Sequence, residues 1–166
     1  DVINDGTVNI NHPTTLSRSN ATFVNNNTVN VTSALDFGSN GVFTQAAGSL
    51  TVSGLGSIVL ADDTFHFDGG SISGNAISLS ASALHIGPGS TGTGAFYFTG
   101  SSNTISGDIA AGQHVTVAAT AFVDSTLTNV GGFTNHGTIV LTNNAGCCPV
   151  ARDTYLTVTA GGTLIN

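Results

Sequence analysis

The chain has 166 residues, of which only Arg18 and Arg152 are cationic; nine Asp, with no Glu and no Lys, bring the formal net charge to −7. Two scattered cations exclude the clustered Lys and Arg that grip nucleic-acid phosphates, and they exclude a polybasic membrane patch. No apolar run approaches the roughly 20 residues that span a bilayer, and no window carries the 3.6-residue period of an amphipathic helix.

Taken in chain order, the elements are short apolar-x-apolar pairs: Val8/Ile10, Val29/Val31, Leu50/Val52, Ile58/Leu60, Phe65/Phe67, Ile77/Leu79, Leu84/Ile86, Phe96/Phe98, Val115/Val117, Ile139/Leu141 and Leu156/Val158. Period-2 alternation sends one side chain of each step inward and its neighbour outward. Between the pairs stand Asn, Asp and Gly, which accept turn geometry; with every acidic residue an Asp, the acids read as turn formers.

The pairs recur as units. Ile3-Asn4-Asp5-Gly6-Thr7-Val8-Asn9-Ile10 matches Val24-Asn25-Asn26-Asn27-Thr28-Val29-Asn30-Val31 in character at each position. A hydroxyl marker runs Thr7, Thr28, Ser49, Ser71, at separations of 21, 21 and 22. A period in the low twenties predicts the coils of a β-solenoid, with roughly 20–25 residues per rung. Seven or eight rungs at about 4.8 Å each would make a rod about 35–40 Å long. A β-sandwich or jelly roll is the alternative, since it also strings short strands between Gly and Asn turns.

Two longer echoes extend the repeat. Phe133-Thr134-Asn135-His136-Gly137-Thr138-Ile139-Val140-Leu141 parallels the stretch that begins at Phe23 and, one residue longer, the stretch that begins at Phe43. Phe65-His66-Phe67-Asp68-Gly69-Gly70-Ser71-Ile72 is echoed from Phe96, at an offset of 31 to 33. That offset predicts a longer rung, or one carrying a loop, at the Gly-rich segment 86–94. Gly161-Gly162-Thr163-Leu164-Ile165-Asn166 joined to Asp1-Val2-Ile3-Asn4 continues the pattern without a break. Residues 1–166 are therefore expected to form one solenoid domain that is a segment of a longer array or a subunit stacking end to end, because an uncapped rung exposes its backbone groups.

The Phe-Thr-Asn-x-Gly-Thr-Ile unit at 133–139, the Gly-Gly-x-Ile-Ser-Gly-Asn unit at 69–75 and Ala111-Gly112-Gln113-His114-Val115-Thr116-Val117 resemble repeats of large secreted bacterial proteins. These are β-helical surface modules of the filamentous-haemagglutinin and autotransporter-passenger kind, including long arrays in actinobacterial exoproteins. The resemblance implies a right-handed parallel β-helix in an extracellular stalk or adhesin, and it carries no catalytic residues over.

Several residues bear on chemistry. Cys147 and Cys148 are adjacent, and three states stay open to them: a strained vicinal disulfide, disulfides to neighbouring subunits, or free thiols. Asn20, Asn26 and Asn30 head three N-glycosylation sequons, a pattern that an Asn- and Thr-rich chain also produces by chance. Asp62 and Asp63, with Asp68 nearby, invite comparison with the paired carboxylates of β-helical polysaccharide hydrolases, but they also fit a turn between Leu60 and Phe65. The five His are not at zinc-type spacing and no metal site or cofactor is expected; His66 and His85 do take outward positions on two strands, where alignment across rungs would join them. Tyr97 and Tyr155 are the aromatics with a hydrogen-bonding handle for sugar stacking.

The expected function is a non-enzymatic extracellular structural or adhesive module, a stalk, fibre subunit or adhesin. A carbohydrate-binding module using the loops at 87–94 or 143–153 is the alternative, and a glycan-cleaving β-helix with Asp62 or Asp63 as the acid is the third reading. Expected partners are neighbouring repeats or identical subunits, with glycans or cell surfaces beside them, and neither nucleic acid nor membrane insertion.

Overall fold

The computed structural model describes residues 1–16, 19–144 and 152–166, and the described residues are all-β. The first coil holds β1 (Val2–Asn4), β2 (Thr7–Ile10) and β3 (Thr14–Leu16); the second, β4 (Thr22–Asn25), β5 (Thr28–Val31) and β6 (Ala34–Phe37). The third holds β7 (Val42–Gln45), β8 (Ser49–Val52) and β9 (Ser57–Ala61), and the fourth β10 (Thr64–Phe67), β11 (Ser71–Gly74) and β12 (Ile77–Ser80). Coils five and six carry two strands each, β13 (Ala83–Ile86) with β14 (Gly94–Thr99) and β15 (Asn103–Ser106) with β16 (Gln113–Ala119). Then come β17 (Ser125–Asn129), β18 (Phe133–Thr134) and β19 (Thr138–Asn143), followed by β20 (Thr154–Val158) and β21 (Leu164–Ile165).

Strands stack with their counterparts in the next coil. The first face is an eight-stranded sheet, β1-β4-β7-β10-β13-β15-β17-β20; the second is β2-β5-β8-β11; the third is seven-stranded, from β3 to β19. Every pairing is parallel. The chain is a β-solenoid of about 7 turns, and parallel pairing between successive coils removes the antiparallel sandwich alternative. The hydroxyl marker is the register of the second face: Thr7 opposes Thr28, Thr28 opposes Ser49, and Ser49 opposes Ser71.

In-register stacking turns alternation into columns. Strands β4, β5, β7, β8 and β10 all alternate half-buried and buried residues. The buried members align as Val29, Leu50 and Ile72 on the second face and as Phe23, Phe43, Phe65, Leu84 and Ile105 on the first. Phe23, Phe43 and Phe65 are stacked at centroid distances of 5.0 and 5.1 Å, because the spacing between coils is close to the stacking distance of rings. Burying such side chains contributes roughly 1.5–3 kcal/mol each, which makes these columns the main stabilising term of the fold.

Polar residues also enter the interior, at the corners. Asn4, Asn25 and Gln45 are buried and pass hydrogen bonds up the stack: Asn4 Nδ2 donates to Asn25 Oδ1 at 2.7 Å, Asn25 Nδ2 to Gln45 Oε1 at 2.8 Å, and Gln45 Nε2 to the Ala47 carbonyl at 2.6 Å. At the corner leading into the first face the backbone turns left-handed in five successive coils, at Asn20, Asn40, Asp62, Ala81 and Ser102. Gly48 is required at the corner between the first two faces: its φ is +67°, and a Cβ there would stand 2.0 Å from the Asn27 carbonyl oxygen of the coil before.

Two expectations about the repeats need correction. The stretch from Phe133 does not occupy the phase of the stretches from Phe23 and Phe43, since Phe23 and Phe43 lie on the first face and Phe133 pairs with Leu164 in β18–β21. Likewise Phe65 lies on the first face and Phe96 on the third, so the offset of 31 to 33 is a whole coil plus the strandless crossing of the second face at 87–93, a loop in the Gly-rich segment rather than a longer rung. Leu84 opposes Ile105, an ordinary offset of 21, across the Gly-rich segment. The longest offsets come later, where Leu127 opposes Leu156 and Phe133 opposes Leu164. Strand, Asn turn, strand is a local solution that this chain uses at more than one corner, so similarity of units does not fix their phase.

Candidate functional site

Coils five and six lack a strand on the second face; segments 87–93 and 107–112 cross it instead. The face resumes through a bridge between Ile109 and Asn135 and then through β18 and β21. The crossing is pinned from inside. Gln113 Nε2 donates to the Ser90 carbonyl at 2.7 Å, its Oε1 accepts from the Ala110 amide at 2.8 Å, and Ser90 Oγ donates to the Phe67 carbonyl. The missing strands leave a depression of about 350 Å³ lined by His85, Pro88, Thr91, Asp108 and His136, and beside it a second of about 250 Å³ reached by Asn75, Thr93 and His114.

At the rim of the larger depression, on the outer side of the first face, His66 of β10 opposes His85 of β13. Their rings are 5.2 Å apart at an interplanar angle of 61°. Asp68, two residues beyond His66, completes a group whose ligand atoms all lie within 4.8 Å of one another. His85 Nδ1 is 2.9 Å from Ser106 Oγ in the coil above. Both rings are half-buried and Asp68 is exposed. The outward placement of the two His was legible in their alternation; their meeting with Asp68 was not, because the three do not have contiguous spacing.

Asp62 and Asp63 serve the corner. Asp62 is one of the left-handed residues, at φ +60°, and is exposed. Asp63 is buried, and its two carboxylate oxygens accept from the amides of Gly41 at 2.6 Å and Ala61 at 3.0 Å. Burial pushes its pKa up, against the two backbone hydrogen bonds that favour the anion, and the neighbouring Asp62 adds to the rise. Ser82 and Asn103 continue the same corner column, with the Asp63 amide donating to Ser82 Oγ at 3.1 Å and the Ser82 amide to Asn103 Oδ1 at 3.1 Å.

The two tyrosines stand on different faces, Tyr97 in β14 of the third and Tyr155 in β20 of the first, so they do not share one platform. The Tyr97 hydroxyl accepts from Asn144 Nδ2 at 2.8 Å. The Tyr155 hydroxyl donates to Asp153 Oδ2 at 3.0 Å, and that hydrogen bond, with the charge of Asp153, raises the phenol's pKa. Asn20 stands at the corner before β4, Asn26 at the corner after it, and Asn30 on β5 of the second face. Asn26 Nδ2 donates to Asp5 Oδ1 at 2.7 Å and Asn30 Nδ2 to Asn9 Oδ1 at 2.9 Å, while Asn20 Nδ2 makes a longer contact, 3.3 Å, to Ser19 Oγ. Cys147 and Cys148 lie outside the described residues.

The two end coils differ from the rest. Val8 and Ile10 are only partly buried, whereas Val29 and Val31, opposite them one coil inward, are fully buried. At the other end Leu141 is 48% exposed while its partner Val117 is 0%, and Leu164 is 38% exposed above the buried Phe133. The interior columns thus run out to both ends and open there on bare apolar side chains, beside strand edges with no partner among the described residues. Comparison with protein-family models, with curated proteins and with solved structures gave no match for this chain.

Proposed function

We propose that the chain is a non-enzymatic structural module, a rigid spacer of an extracellular stalk or fibre, whose end coils stack on further coils of the same kind. The observation that carries this reading is the open state of both ends: columns that are fully covered in the middle, such as Val29 and Val117, end in the exposed or partly buried Val8 and Leu141. A row of unpaired strand edge beside apolar side chains recruits another strand unless something covers it. A coil with the same alternation covers it without a change of register, because the side chains it presents are those of the next rung.

The extracellular and adhesive parts of the reading rest on the likeness of the 69–75, 111–117 and 133–139 motifs to filamentous-haemagglutinin-like, autotransporter-passenger-like and actinobacterial exoprotein repeats. The test is direct imaging. Electron micrographs of the purified chain at rising concentration should show rods that lengthen at constant width, and Leu141→Lys with Leu164→Lys should return them to single short rods with unchanged far-UV circular dichroism. Isolated particles at every concentration, or lengthening indifferent to the two lysines, would overturn the end-stacking reading.

A further inference from the structure

We propose that His66, Asp68 and His85 form a binding site for a divalent late-transition ion of the zinc or copper type, bridging the fourth and fifth coils. The donor set is two imidazoles and one carboxylate. Imidazole suits zinc, copper and nickel, whereas magnesium and calcium select all-oxygen cages, and this set is therefore wrong for them.

The geometry follows from the stacking. Register places His66 directly opposite His85, with Phe65 and Phe67 of the same strand turned inward to the core. Both rings are thus held on the outer side by the alternation itself. Asp68 follows at the same parity and sits where β10 leaves the face. A Cβ at Gly87 would lie 2.7 Å from Asp68 Oδ1, so the glycine leaves the carboxylate its place beside the histidines. Donors held by one tetrahedral ion at roughly 2.0–2.1 Å stand about 3.4 Å apart. The three ligand atoms already lie within 4.8 Å of one another, and side-chain rotation closes the remaining gap.

Ser106 supplies the outer partner that such a histidine needs. Its hydroxyl lies 2.9 Å from His85 Nδ1, which leaves Nε2 for the ion when Nδ1 carries the proton. The fourth position faces solvent and takes water or an external ligand, as in three-ligand zinc sites. The chain has no lysine at all to compete for the carboxylate, and its net charge of −7 favours cation approach. An ion here ties two coils together and so stabilises the stack by mass action.

The probe is Zn²⁺ alone, added to the intact chain and followed by nuclear magnetic resonance of the five imidazoles and by thermal unfolding. One equivalent should shift the resonances of His66 and His85 and leave His12, His114 and His136 in place, with a rise in the unfolding temperature. His66→Gln or His85→Gln should weaken binding at least tenfold, Asp68→Asn less, and Ser106→Ala should weaken it while leaving the ligands intact. These side chains point away from the core, so their loss spares the fold, which far-UV circular dichroism checks. The same titration with Cys147→Ser and Cys148→Ser separates thiol binding from this site and should give an unchanged affinity. No response up to millimolar Zn²⁺, equal shifts of all five histidines, or binding that disappears with the cysteines would overturn the proposal.

Discussion

Asn25 and Gln45 face each other across two coils inside the solenoid, with Asn25 Nδ2 donating to Gln45 Oε1 at 2.8 Å and both residues 0% exposed. Asn25 also accepts from Asn4 Nδ2 and donates to the Ser49 carbonyl at 3.2 Å, so one carboxamide holds three coils. Replacing it with an apolar residue strands buried partners on both sides, at roughly 1–3 kcal/mol for each unsatisfied group. Asn25→Val is therefore expected to lose about 2–4 kcal/mol in chemical denaturation. Replacing Asn4, Asn25 and Gln45 together by valine should not recover that loss, because the Gly6 and Asn27 amides and the Thr28, Ala47 and Ser49 carbonyls lose the hydrogen bonds these side chains give them.

The left-handed corner makes a prediction of opposite sign. Asn20, Asn40 and Asp62 belong to the residue types that tolerate positive φ, but Ala81 holds the same turn at φ +49° without a helping side chain. Ala81→Gly should raise stability by about 0.5–1 kcal/mol, since relief of roughly 1–2 kcal/mol of strain exceeds the added entropy of the unfolded chain. Gly48→Ala should do the reverse and strongly, with its Cβ driven into the Asn27 carbonyl. Thermal melts of the two variants against the parent chain check both.

Asp63 predicts a pH dependence. Burial raises its folded-state pKa above the ordinary 3.8, so the folded chain holds a proton that the unfolded chain has released. Its contribution to stability is complete below about pH 3.8 and is lost as pH rises through the elevated value. Asp63→Asn should flatten the decline across that interval when unfolding free energy is plotted against pH. A variant whose profile overlays the parent's would remove Asp63 as the cause.

All eleven apolar-x-apolar pairs fall in strands, because alternation is read locally and each stack only repeats it. Strands β4 and β7 were harder: neither holds one of the eleven pairs, and Asn25 stood among the Asn and Gly that accept turn geometry, yet it and Gln45 are interior rungs of an amide column. Phase was the hardest. Phe23 and Phe133 head similar units on different faces, and only the register, in which Phe23 opposes Phe43 and Phe133 opposes Leu164, tells them apart. Of the His66–Asp68–His85 group, the outward positions of the two histidines were legible, while their register and the approach of Asp68 were not. The offset between the two histidines is 19, shorter than the 21 or 22 of the hydroxyl marker, so the common period does not superimpose them.

Small-angle X-ray scattering over a hundredfold range of protein concentration tests end-to-end stacking most directly, since it separates the cross-section of a particle from its length. Growth by addition at the open coils predicts a constant cross-sectional radius with a length that increases in steps of one chain, roughly 35 Å for about seven rungs at 4.8 Å. A single particle one chain long at every concentration, or growth that thickens the cross-section, would contradict it.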